Sequence, residues 1–251
     1  MYNIYMNLHV NFNAEKRSGT TGRQVKITDD YFNVTQFVID LCSTSEYEKL
    51  DNLLKNNDIA KSVYADINRA IQHDLCGYYY RGRRFAQNET PESAIEFYPP
   101  TITKQGKGRY NKLGNNVLYL CKSKETIQKE VPPNNKKPLL FIQQFNIKIS
   151  NVNVLKLDKD LENTCPNLQR FLLESERLVD GTSLVKYPYT ATHFIAEICH
   201  KLNIAAVEYP SVQGGYITNK EAVNLVVFEP YWREVFQMAN GKPFKYDCCI
   251  N

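Results

Sequence analysis

Apolar residues recur every fourth position at Ile59, Val63, Ile67, Ile71 and Leu75, which predicts a helix over 57–75 with Gly77 as its C-terminal cap. The pattern then changes period. YYYRGRRF at 78–85 is aromatic-rich and reads as a strand, and a proline-bearing loop follows over 91–100. A short apolar strand carries Tyr119, and the helix after it places Ile127, Glu130 and Val131 at i, i+3 and i+4 before Pro132 and Pro133 stop it. Beyond a loop over 132–138, strands are predicted at 139–145 and 152–157, and helices at 168–179 and 191–202. Two further short strands, 205–209 and 225–228, flank the loop PSVQGGYITNKEAVN. Residues 1–30 are polar and irregular, with SGTTG at 18–22 as a loop, and no internal repeat or low-complexity tract is present. Short strands dominate from residue 78 onward with few helices between them. This predicts an α+β fold, a mixed or antiparallel sheet with flanking helices, rather than regular βαβ alternation.

Composition narrows the class. The 251 residues fit one large domain, or a domain of about 170 residues with a helical extension. With 43% hydrophobic and 23% charged residues the chain can bury a full core. Seventeen tyrosines and twelve phenylalanines against one tryptophan suit pleated surfaces. A net charge of +4 and a pI near 8.5 permit an anionic ligand without the strongly basic footprint of a nucleic-acid binder. Seven cysteines, an odd number without a CxxC pair, fit a reduced cytoplasmic setting better than a disulfide scaffold. MYNIYMNLHV lacks the layout of a signal peptide, and no apolar run approaches a membrane span, so no membrane association is expected.

Several residues could carry chemistry. Glu130 breaks two local rules: it shares a face with apolar Ile127 and Val131, and it sits in the last turn of its helix, where the dipole disfavours an anion by roughly 0.3–1 kcal/mol. Such a carboxylate is either functional or one that snorkels to the sheet edge or pairs with an arginine. Strand alternation puts Arg81 and Arg83 on one face and Tyr80, Gly82 and Arg84 on the other. Two guanidiniums on one face could grip a diphosphate, or form a solvated basic edge. Lys104, Lys107, Arg109 and Lys112 surround Gly106, Gly108 and Gly114, a cationic loop able to approach phosphates, yet it matches neither a Walker A loop nor GxGxxG. Ser211 follows Pro210 at the end of the strand AAVEY without a GxSxG elbow, and Asn224 opens the next strand; each is a ligand contact or an ordinary turn residue. His193 and His200 share a helix face but lack a third ligand, and no HExxH or paired-cysteine set occurs, so no catalytic metal is expected.

In order along the chain, YYYRGRRF around Arg81, GRYN at 108–111, LYLCKSKETIQKEV holding Tyr119 and Glu130, TATHFIAEICHKLNIAAVEYPS ending in Ser211, and NLVVF beginning at Asn224 resemble the RES domain family, named for its Arg, Glu and Ser. The resemblance covers about residues 78–230. It departs at Tyr110, where the family often has the tryptophan of GRWN, and residues 1–75 lie outside it. It implies a fold similar to ADP-ribosyltransferases, with an N-terminal helical extension at 1–76 and a catalytic, NAD-binding domain at 77–251. The implied activity consumes NAD as substrate, not cofactor, by hydrolysis or phosphorolysis, as an NAD glycohydrolase or NAD phosphorylase; many such proteins are toxins held by an antitoxin. Arg81, Glu130 and Ser211 then become catalytic, and Arg81, Arg109, Asn111, Tyr119, Ser211 and Asn224 bind NAD. Arg81 would hold the diphosphate, Arg109 the diphosphate or incoming inorganic phosphate, and Tyr119 would wall the nicotinamide. Ser211 and Asn224 would orient nicotinamide or ribose hydroxyls. Two other readings stand beside this one: transfer of ADP-ribose to a macromolecule from the same pocket, and a nucleic-acid-binding module using the aromatic strand 78–85 and the loop 104–112.

Overall fold

The computed structural model describes residues 29–43, 49–99, 108–111, 116–157, 161–181, 189–211 and 222–246. In chain order its first half contains α1 (Asp29–Ser43), α2 (Leu50–Asn56), α3 (Asp58–Arg69), β1 (Ile71–Phe85), β2 (Val117–Cys121), α4 (Lys124–Glu130) and β3 (Leu139–Lys156). There follow α5 (Leu161–Thr164), α6 (Pro166–Gly181), α7 (Thr190–Lys201), β4 (Ile204–Pro210), β5 (Val223–Phe228), α8 (Tyr231–Gln237) and β6 (Ala239–Lys245). These elements form two compact units. One takes the chain up to residue 70 together with 159–198; the other takes 71–158 and the chain from 199 onward. The unit that contains the sheet begins at Ile71, and 159–198 group with the N-terminal helices. None of the helices among the described residues is long and apolar enough to cross a membrane.

The helical unit is organised by aromatic packing and one buried carboxylate. Phe37, Phe171 and Phe194 form a triangle with ring centroids 5.6–5.9 Å apart. Asp66, fully buried, accepts from the backbone N–H groups of Asn167 and Leu168 at 2.7 and 3.0 Å, supplying α6 with a long-range N-terminal cap. Asn57 caps α3 by accepting from Ala60 N at 2.9 Å.

The four-residue spacing that predicted helix over 57–75 runs past the true end of α3. Ile71 and Leu75 belong to β1, where they pair with Leu155 and Ile149, and Gly77 lies inside that strand at φ 135° instead of capping a helix. Pairing with β3 overrides the local periodicity. The strands expected at 139–145 and 152–157 are one 18-residue strand, because Ile147 and Ile149 remain buried while Lys148 and Ser150 face outward. Its bend is taken up locally. Asp74 (φ 72°) and Asn151 (φ 61°) adopt left-handed backbone at a bulge, and Asn151 N donates to Asp74 Oδ1 at 2.8 Å.

Strand pairings run β1–β2–β5–β4–β3, and β3 also pairs along the length of β1, so the order returns to its start; β6 adds to β3. Among the described strands only β4 runs parallel to a neighbour, β3; the other pairings are antiparallel, giving the mixed sheet expected. Leu118, Leu120, Leu225 and Val227 join Tyr79, Phe145 and Trp232 in the main core. Tyr119, Cys121, Asn224 and Tyr209 alternate with these and so leave the sheet on the other face. On that face α4 rests on Gly82. A Cβ there would lie 2.2 Å from Ile127 Cγ2, a branch methyl that cannot swing clear, and 3.2 Å from Leu140. Helices α1, α2 and α8 and strand β6 were not signalled by periodicity.

Gly82→Ala is expected to push α4 off the sheet and lower stability by about 1–3 kcal/mol, measured by urea denaturation; unchanged stability would mean that α4 does not depend on this close approach.

Candidate active site

Glu130 is placed by a helix of only seven residues fixed at both ends. At its start Ser123 Oγ accepts from Thr126 N at 3.1 Å and pairs with Thr126 Oγ1 at 2.8 Å. At its finish Val131 N donates to Ile127 O at 2.8 Å, and Pro132 and Pro133 prevent continuation. Arg84 ties down this end: Nε and Nη2 donate to the Val131 carbonyl at 3.1 and 2.9 Å, and Nη1 to Pro138 O at 2.8 Å. The guanidinium thus meets orphan carbonyls and the negative end of the helix dipole together.

The carboxylate itself is half-buried and meets neutral donors. Ser211 Oγ donates to Glu130 Oε1 at 2.6 Å and Asn224 Nδ2 donates to the same oxygen at 2.8 Å. No arginine or lysine pairs with it among the described residues, and Oε2 has no hydrogen-bond partner among them. Ser211 is fully buried just beyond β4, its backbone N donating to Ala222 O at 2.7 Å. Asn224 lies in β5 between Tyr209 of β4 and Cys121 of β2. The thiol of Cys121 donates to Asn224 Oδ1 at 3.2 Å.

Arg81 Nη1 donates to the Tyr119 carbonyl of β2 at 3.0 Å, while its buried Nε has no partner. Burial, and secondarily Arg83, lower its pKa to about 10, which leaves the guanidinium charged at neutral pH. The other arginines of the motif are committed elsewhere. Arg84 closes α4, and Arg83, exposed, donates to the Glu96 carbonyl. Arg81 and Arg83 therefore do not form a two-guanidinium clamp, because Arg83 turns to the loop after β1.

Tyr119 anchors the GRYN segment. Its Oη accepts from Tyr110 N at 3.0 Å and donates to Asn111 Oδ1 at 2.9 Å. A Cβ at Gly108 would stand 2.3 Å from Asn111 Oδ1 and 2.8 Å from Tyr119 Oη, so a side chain there would have to displace the Tyr119–Asn111 contact. Tyr110 packs its ring 4.9 Å from Tyr209, and the Arg109 guanidinium lies 5.6 Å from the same ring. Burial, with Tyr119 close by, raises the Tyr209 phenol well above its ordinary pKa. Tyr209 is thus the aromatic floor that joins the GRYN segment to Asn224, and sequence reasoning missed it; its place two residues before Ser211 was the available signal.

The structure therefore brings Glu130, Ser211 and Asn224 into direct contact and joins Tyr119 with Asn111, Arg81 and, through Tyr209, Arg109. Lys104, Lys107, Lys112, Gly106, Gly114 and most of the 210–224 loop lie outside the described residues. Among the described residues no group of three or more His, Cys, Asp or Glu could hold a metal ion. The His200 ring packs tilted against Phe228 at 4.7 Å between centroids, and His193 lies 6.4 Å from Tyr189.

No family model and no curated protein matches the chain. A chain in the crystal structure of the M. tuberculosis MbcT-MbcA toxin-antitoxin complex is similar at 13% identity with a TM-score of 0.45, over 75% of this chain and 93% of that one.

Arg84→Met is expected to cost about 1.5–3 kcal/mol, the range for hydrogen bonds from a charged donor, and to raise amide exchange in α4 and the 132–138 loop before β5. Uniform acceleration across both would show that Arg84 does not hold this helix end specifically.

Proposed function

We propose that the chain is an enzyme that cleaves the nicotinamide–ribose bond of NAD, with water or inorganic phosphate as acceptor, and acts in the cytoplasm as a toxin that depletes NAD and is restrained by an antitoxin protein. The observation that carries the reading is the state of Glu130: two neutral donors hold one carboxylate oxygen, and the other oxygen is unengaged among the described residues. An arginine in that place would add an opposing charge; Ser211 and Asn224 orient the carboxylate without adding one.

The chemistry asks for such a group. Nicotinamide leaves a pyridinium as a neutral molecule, so no general acid is needed, and the barrier lies in the oxocarbenium-like ribosyl cation. A carboxylate about 4 Å from that cation, at an effective dielectric near 20, contributes on the order of 4 kcal/mol, or roughly a thousandfold in rate. Glu130 Oε2 supplies this field and accepts from the ribose 2′-hydroxyl. Arg81, charged at neutral pH, holds the diphosphate, and Arg109 extends the cationic wall. Tyr119, fixed through its hydroxyl to the GRYN segment, presents its ring to nicotinamide, with Asn111 setting that ring. Ser211 and Asn224 act through Glu130 rather than on substrate hydroxyls.

Purified protein is expected to release nicotinamide from NAD, with ADP-ribose as co-product, or its 1″-phosphate if phosphate is the acceptor. Chromatography with and without phosphate reads both. Glu130→Gln keeps the shape and is expected to lose about a thousandfold in turnover. Normal turnover in that variant, or no NAD loss by the folded wild type under either condition, overturns the reading; ADP-ribose attached to protein would assign transfer instead.

A further inference from the structure

The contacts around Glu130 continue one step back, to Cys121. In the antiparallel β2–β5 pair Cys121 and Asn224 stand directly opposite each other, so their side chains leave the sheet on one face. The directions of the hydrogen bonds between them are fixed by chemistry. A carboxylate only accepts, so the end of the Asn224 amide that meets Glu130 Oε1 at 2.8 Å is Nδ2. Oδ1 then faces the other way and meets Cys121 Sγ at 3.2 Å. Since Oδ1 also only accepts, the proton in that contact belongs to the thiol. Both residues are buried, so water does not compete with the weak S–H donor. Burial, and next the charge of Glu130, raise the Cys121 pKa far above its ordinary value, with Arg81 partly opposing, and the thiol keeps its proton at neutral pH.

We infer that Cys121 is a positioning residue for the proposed cleavage: its thiol proton locks the Asn224 amide in the one orientation that presents Nδ2 to Glu130. Its effect on rate rests on the reading of Glu130 given above; the bond itself rests only on hydrogen-bond direction. Without the thiol proton Oδ1 loses its donor and the amide is held only at its Glu130 end, so Nδ2 is aimed less tightly at Oε1. Cys121 is neither nucleophile nor ligand in this scheme. Its contribution is the amide's orientation.

The test compares Cys121→Ala, Cys121→Ser, Asn224→Ala and the Cys121→Ala/Asn224→Ala double variant, each checked for folding by thermal melting. Cys121→Ala is expected to lower kcat about 3–10-fold, the worth of one hydrogen bond, with KM within about twofold. Cys121→Ser, which keeps a donor of shorter reach, recovers most of the loss. In the Asn224→Ala background Cys121→Ala costs nothing more, because there is no amide left to orient. A kcat for Cys121→Ala within about twofold of wild type, or an equal loss with and without Asn224, overturns the inference. Infrared spectroscopy of the free protein separates this from the fate of the NAD reading. The wild type minus Cys121→Ser difference spectrum should contain an S–H stretch shifted to the lower frequency of a bonded thiol. A band at the free-thiol frequency, or none, overturns the inference whether or not the chain cleaves NAD.

Discussion

The site depends on aiming one carboxylate, paired with no cation among the described residues, at the unfavourable end of a short helix. Glu130 could be stabilised most simply by an arginine, and the strand beneath it carries Arg81, Arg83 and Arg84. None of them pairs with it. Arg84 instead donates twice to the Val131 carbonyl at the end of the helix, so its positive charge offsets the dipole without touching the carboxylate oxygens. The two groups that do touch the carboxylate, Ser211 and Asn224, are uncharged. Orientation and charge are thereby supplied by different residues.

The sheet makes this possible. Two neighbouring strand ends, the close of β4 and the start of β5, deliver Ser211 and Asn224 to one oxygen, and β2, paired with β5, leads directly into α4. Gly82 lets that helix lie close enough to the strand for its last turn to reach them. On the same face Tyr209 links the GRYN segment to Asn224, so an aromatic and cationic surface borders the carboxylate. The opposite face is closed by the apolar core of Tyr79, Phe145, Leu225 and Val227.

Much of this was legible from the residues, and the failures have physical causes. Glu130 stood out because it broke apolar patterning and dipole preference together. Arg81, Tyr119 and Asn224 lie in strands close to where the aromatic and apolar runs predicted them, and Ser211 follows β4 directly. The targets of Ser211 and Asn224 were not legible, since they meet Glu130 across 81 and 94 residues of chain. The end of α3 was missed because Ile71 and Leu75 keep helical spacing while pairing with β3, a preference set outside the local sequence. Tyr209 escaped attention because a buried tyrosine in an apolar strand looks like core. Cys121 did so because its role lies in the direction of a hydrogen bond.

The central claim is that Glu130 Oε2, unengaged among the described residues, faces the ribose of NAD. A crystal structure with a slowly cleaved carbocyclic NAD analogue tests it most directly. The account predicts Oε2 about 2.6–3.0 Å from the 2′-hydroxyl, Ser211 and Asn224 still on Oε1, and Arg81 on the diphosphate. An analogue bound elsewhere, or Glu130 turned from the ribose at full occupancy, would contradict it.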